Sequence, residues 1–134
     1  MNKSPQEQIE SIITLALEED DFENDVTSCA LIFPDKEGTA YILAKEEGII
    51  ACVNILPPVF HTVDHSLKVT LLQKEGQRIK PGELIAEIRG SLRSILSAER
   101  TALNFLSHLS GIATQTARYV EKIKGTKAVI RDTR

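Results

Sequence analysis

The chain has 134 residues, 42% of them apolar but only 4% aromatic, and carries a formal net charge of −3. That is enough apolar material for one domain with a core of its own, which excludes a disordered chain. The acidic balance without a basic cluster excludes a nucleic-acid surface, and no apolar stretch approaches the roughly 20 residues of a membrane span.

The polar start Met1–Gln6 shows no secretory leader. Two separate cysteines, Cys29 and Cys52, then read as reduced thiols in a cytoplasmic protein. His61 and His65 have i,i+4 spacing but no neighbouring Cys or Glu pair, so no metal site is expected there.

In chain order, Ser4-Pro5-Gln6-Glu7 is a helix start: Ser4 can cap, Pro5 suits the first helical position, and Glu7 closes a capping box. Ile9, Ile12, Ile13, Ala16 and Leu17 follow at helical spacing and predict one apolar face as far as about Glu19. The acidic stretch Glu18 to Asp25 reads as a solvated loop. Thr39 to Lys45 predicts a strand, Gly48 a turn, and Ile49 to Val53 a short apolar strand. Asn54 to Val63 looks helical around Pro57-Pro58. Leu67 to Lys74 and Glu83 to Arg89 predict further strands, separated by turns at Glu75-Gly76 and Pro81-Gly82.

From Ser91 the period becomes helical. Ala98, Ala102, Phe105, Leu106 and Leu109 predict a core-facing stripe, and Arg100, Asn104, Ser107 and His108 a polar one. Gly111 is expected to end or bend this helix, with a second segment from Ile112 to Lys124 turning Tyr119, Val120 and Ile123 inward. Gly125 suits the C-terminal cap, and Lys127 to Arg131 predict a last strand leading to Asp132, Thr133 and Arg134. The elements add up to an α+β sandwich, in which helices cover a mostly antiparallel sheet of about four strands.

Two stretches resemble known families. Lys74 to Ile88 is similar to the hairpin of biotinyl and lipoyl carrier domains, but the comparable lysine, Lys45, lacks their Met-Lys or Asp-Lys setting. The second resemblance is carried by Glu99-Arg100-Thr101-Ala102-Leu103-Asn104-Phe105-Leu106, Leu109-Ser110-Gly111-Ile112-Ala113-Thr114, Tyr119-Val120 and Ile130-Arg131-Asp132-Thr133-Arg134. Together with Asp25-Val26-Thr27-Ser28 and the Glu75-Gly76 hairpin, these blocks resemble quinolinate phosphoribosyltransferase along nearly the whole chain. A transferase-like group associated with molybdenum transport shares the helical pattern, but Asp132 before Thr133-Arg134 suits the quinolinate enzymes better.

The resemblance implies an enzyme that transfers phosphoribose from phosphoribosyl pyrophosphate to quinolinate, with Mg²⁺ and loss of CO₂, giving nicotinate mononucleotide for NAD biosynthesis. It implies that Arg100 and Arg134, with Thr133, bind substrate, and that Arg100 serves the site of the neighbouring subunit in a homodimer or higher homo-oligomer. Asp132 is read as orienting the strand end or pairing with a neighbouring base, His108 as an interface or hydrogen-bonding residue, and Asn104 and Ser110 as packing and capping groups. Residues 1–125 would be a capping and dimerisation domain, and 126–134 the start of a truncated C-terminal α/β barrel. The family keeps its remaining basic residues and its Mg²⁺ and pyrophosphate groups on that barrel. The resemblance therefore implies a chain that binds no metal and completes no turnover by itself.

Overall fold

The computed structural model describes residues 4–20, 30 and 32–133. Helix α1 (Pro5–Glu19) begins as its sequence dictates: the Glu7 N–H donates to Ser4 Oγ at 3.3 Å and the Ser4 N–H to Glu7 Oε2 at 2.6 Å. These bonds satisfy N–H groups that a helix start leaves without intrahelical partners. The apolar face is narrower than its periodicity predicts. Ile13 and Leu17 are fully buried, while Ile9 and Ile12, predicted to share their face, turn outward.

The expected sheet of about four strands is divided into two antiparallel sheets. Strands β1 (Glu37–Leu43), β5 (Leu84–Ser91) and β3 (Lys68–Leu71) form the larger, in the order β1-β5-β3. Strands β2 (Gly48–Ile49) and β4 (Arg78–Ile79) form the smaller. Ala40 opposes Ile88 and Ile42 opposes Ala86, which sets one face of the larger sheet towards the core. Thr39, Tyr41, Thr70 and Arg89 lie on the opposite, open face. The alternation expected of Leu84, Ala86 and Ile88 fails at Leu84. A register shift between Ile42 and Leu43 pairs Leu43 with Leu84, so that Ile85 is buried and Leu84 exposed. An extra residue on one strand turns the following side chains to the other face.

The predicted strand over Ile49 to Val53 ends early because Cys52 takes a left-handed conformation (φ 62) and turns the chain into a single 3-10 turn (Val53–Ile55). The Glu75 carboxylate, returning on the β3–β4 connection, accepts from the Cys52 N–H and from the Val53 N–H at 3.0 Å. Helix α2 (Leu56–Val63) follows, burying Leu56, Val59 and Phe60.

The largest departure is α3 (Leu92–Lys122), one continuous helix of 31 residues with no break at Gly111. An interior glycine costs about 1 kcal/mol relative to alanine, too little to stop a helix anchored on both sides of it. Ile95, Ala98, Thr101, Ala102 and Leu106 are buried, with Phe105 packed against the core. Tyr119 and Val120, expected inward, are 51% and 44% exposed. The helix is capped by Ile123, two residues before the predicted Gly125, which adopts positive φ (82) in the turn that follows. Lys127 to Arg131 are exposed and form no strand. β-propensity alone does not make a strand; the backbone needs a partner for its ladder, and none of the described strands adjoins this segment.

Candidate functional site

Helix α3 presents the candidate residue Arg100. Ala98, Thr101 and Ala102 on either side of it are buried against the core, so helical geometry turns Arg100 outward. Its Nη1 donates to Asp20 Oδ1 at 3.0 Å; the two side chains are 76% and 20% exposed. Asp20 caps the C-terminal end of α1, so two helices hold the pair. A guanidinium has five N–H donors, and one bond to Asp20 leaves its other edge available to an anion. An exposed pair of this kind adds at most about 1 kcal/mol to stability.

The polar stripe forms as predicted, with Arg100, Asn104, Ser107 and His108 all exposed. Ser107 Oγ donates to the Leu103 carbonyl at 2.6 Å. Thr133 lies in the exposed segment after the helix, together with Asp132. Arg134, the other predicted arginine, lies outside the described residues, as do Asp25-Val26-Thr27-Ser28 and Cys29. About 33 Å of helix separates Arg100 from Lys122, and Thr133 follows eleven residues further along the chain.

A cleft of about 810 Å³ runs between β1 and α3. Ile50, Phe60 and Ile85 contribute to its apolar floor, and Glu46, Glu47 and Glu99 to its rim. Arg100 does not line it. Cys52 is a half-buried free thiol, pushed above its ordinary value by burial and by the Glu75 charge, and so is a poor nucleophile. His61 Nε2 is hydrogen-bonded to the Leu67 carbonyl at 3.0 Å. Among the described residues no three His, Cys, Asp or Glu side chains gather closely enough to hold a metal ion. Among them, too, no helix is long and apolar enough to cross a membrane.

Sequence reasoning missed four participants. Asp20 lies in an acidic stretch that the sequence reads as solvated loop, and Glu75 in a turn. Local pattern makes Ser110 a packing and capping group and gives Thr114 no role. Each of the four acts on a group distant in sequence, which local pattern does not reveal.

Residues 25–110 match the family described as quinolinate phosphoribosyl transferase, N-terminal domain. The chain belongs to this family. It is 42% identical over 113 residues to a chloroplastic nicotinate-nucleotide pyrophosphorylase (carboxylating) of Arabidopsis thaliana, a match covering 84% of this chain and 32% of that protein. A probable nicotinate-nucleotide pyrophosphorylase (carboxylating) of Archaeoglobus fulgidus is 39% identical over 103 residues, or 75% of this chain and 39% of its own. Among solved structures, NadC from Streptococcus pyogenes superposes with a TM-score of 0.90 at 37% identity, covering all of this chain and 47% of that one. This member of the quinolinate phosphoribosyltransferase family thus spans about a third of the length of its Arabidopsis relative and shares its fold with part of NadC.

Proposed function

We propose that this chain is the N-terminal, substrate-capping part of a quinolinate phosphoribosyltransferase. The complete enzyme would transfer phosphoribose from phosphoribosyl pyrophosphate to the ring nitrogen of quinolinate and release CO₂ and nicotinate mononucleotide. The observation that carries this reading is Arg100: a solvent-facing guanidinium on a helix anchored in the core, held by one bond to Asp20, in a chain whose family is quinolinate phosphoribosyltransferase. Quinolinate is a planar dianion, and an oriented guanidinium offers two parallel donors to one of its carboxylates. Arg100 would serve the neighbouring subunit of a homodimer or higher homo-oligomer, and the 33 Å of helix noted above suits a division of the site between subunits. Residues 1–125 would form the capping and dimerisation domain, and Thr133 and Arg134, in 126–134, would belong to the start of the barrel.

Mg²⁺ and pyrophosphate would be handled on the barrel, where the resemblance places the family's metal- and pyrophosphate-binding groups. Transfer chemistry depends on a closed, preorganised constellation of charges, which two arginines and a threonine cannot supply. The 134-residue chain alone should therefore form no nicotinate mononucleotide. We place the protein in the cytoplasm.

The test joins residues 1–134 in one polypeptide to the part of S. pyogenes NadC that follows its superposed region. Nicotinate mononucleotide should form only with quinolinate, phosphoribosyl pyrophosphate and Mg²⁺ all present. Arg100→Ala should lower kcat/KM for quinolinate by about 10- to 150-fold, the scale of about 1.5–3 kcal/mol for a charge-assisted pair. A folded joined protein without activity, or one indifferent to Arg100→Ala, would overturn the reading.

A further inference from the structure

Leu109-Ser110-Gly111-Ile112-Ala113-Thr114 carries part of the family resemblance, yet none of these residues has a role in the chemistry above. The structure gives two of them a specific task. On the β4 side of β2, the Ile50 N–H donates to the Gln77 carbonyl at 2.9 Å and the Ile50 carbonyl accepts from the Gly76 N–H at 2.9 Å. The flanking N–H groups of Ile49 and Ala51 therefore point away from β4, towards α3, where none of the described strands lies. Side chains of α3 take them up. The Ile49 N–H donates to Thr114 Oγ1 at 2.8 Å and the Ala51 N–H to Ser110 Oγ at 3.0 Å, with Ser110 Oγ also 3.3 Å from the Ala51 carbonyl.

The match is metric. Four residues of helix advance about 6 Å and two residues of strand about 6.6 Å, so hydroxyls one turn apart meet alternate N–H groups of an extended chain. Gly48 makes the approach possible, because a Cβ there would lie 2.9 Å from Thr114 Oγ1. The pairing also selects one register. A slide of α3 by one turn would set Leu106 or Arg118 where a hydroxyl now stands, leaving a partly buried N–H without an acceptor. Nearer its start, α3 is tied by Ser94 Oγ, which donates to Asp64 Oδ2 at 2.8 Å. Arg100 lies between the two ties.

We propose that Ser110 and Thr114 are positioning residues: their paired hydroxyls hold α3 in one axial register on β2 and so fix where Arg100 projects. This deepens the function proposed above and rests on it. The helix remains continuous through Gly111, where a Cβ would meet nothing within 4 Å, so the hydroxyls and not the glycine set the register.

The test compares Ser110→Ala/Thr114→Val, which removes both hydroxyls at similar volume, with Ser110→Thr/Thr114→Ser, which keeps both. In the 134-residue chain, amide hydrogen exchange should speed at least tenfold at Ile49 and Ala51 in the first variant, with the β1–β5 ladder unchanged. The Arg100 Nε–H resonance should shift with it, and both signals should be restored in the second variant. In the joined protein, the first variant should raise KM for quinolinate about tenfold with kcat within about twofold, and the second should restore KM. Unchanged exchange at Ile49 and Ala51, or faster exchange with the Arg100 signal unmoved, would overturn the proposal. An inactive but folded wild-type joined protein would instead overturn the functional reading, while exchange and the Arg100 resonance would still decide the latch.

Discussion

The two halves of α3 make an instructive pair. Residues 92–110 and 111–122 are helical with equal regularity, and both carry large apolar side chains. The first half buries Ile95, Ala98, Ala102 and Leu106 on the sheets and α2, whereas the second leaves Ile112, Tyr119 and Val120 in solvent. Helix formation is local, a matter of hydrogen bonds four residues apart and of propensity. Burial is not local, because an apolar stripe is covered only where another layer reaches it. Tyr119 and Val120 have the right spacing and no layer.

This contrast can be attacked directly, from the largest expected effect to the smallest. Leu106 is 4% exposed, so Leu106→Ala should destabilise the chain by about 2–5 kcal/mol in urea unfolding, through lost burial and a residual cavity. Val120→Ala, one face and four turns away, should stay within about 0.5 kcal/mol. Equal costs at the two positions would mean that the second half is covered after all.

Gly111→Ala should stabilise the chain by about 0.5–1 kcal/mol, read as a higher urea midpoint at unchanged slope. A Cβ there meets nothing within 4 Å and the backbone is helical, so only the flexibility of glycine is removed. Destabilisation would show that the helix bends at Gly111 in solution.

The tie at the start of the first half should show itself in acid. Asp64 accepts from Ser66 Oγ at 2.6 Å, from the Ser66 N–H at 2.8 Å and from Ser94 Oγ, bonds that hold its carboxyl below the ordinary value of 3.8. A depressed carboxyl stabilises the fold above its unfolded value and loses that contribution as pH falls through its folded value. Stability should therefore drop below pH 3.8, and Asp64→Asn should flatten that part of the profile. An identical acid profile in the variant would remove Asp64 from the account.

Particular residues show what could be read in advance. Ser4, Pro5 and Glu7 carry the start of α1 in their own chemistry, and the capping box forms with no help from distant residues. The α+β class, the antiparallel pairing and the Ala98-to-Leu106 stripe follow from period and propensity in the same way. Arg100 stood out through the motif around it and not through any property of one helical arginine. The Ile49 to Val53 segment went wrong because Cys52 adopts a left-handed conformation that Glu75, more than twenty residues away, accommodates with two hydrogen bonds. Leu84 went wrong because a one-residue irregularity on paired strands is set by both strands together.

By itself, then, the sequence determined the elements whose causes lie within a few residues: caps, turns at glycine, helical and strand periods, and the blocks that mark the family. Only the tertiary structure decided the division of the sheet, the unbroken passage of α3 through Gly111, the exposure of Tyr119 and Val120, and the bonds to Asp20, Ile49 and Ala51. The physical reason is common to all of these. A backbone N–H or an apolar face must be satisfied, but sequence spacing does not say which distant group will satisfy it.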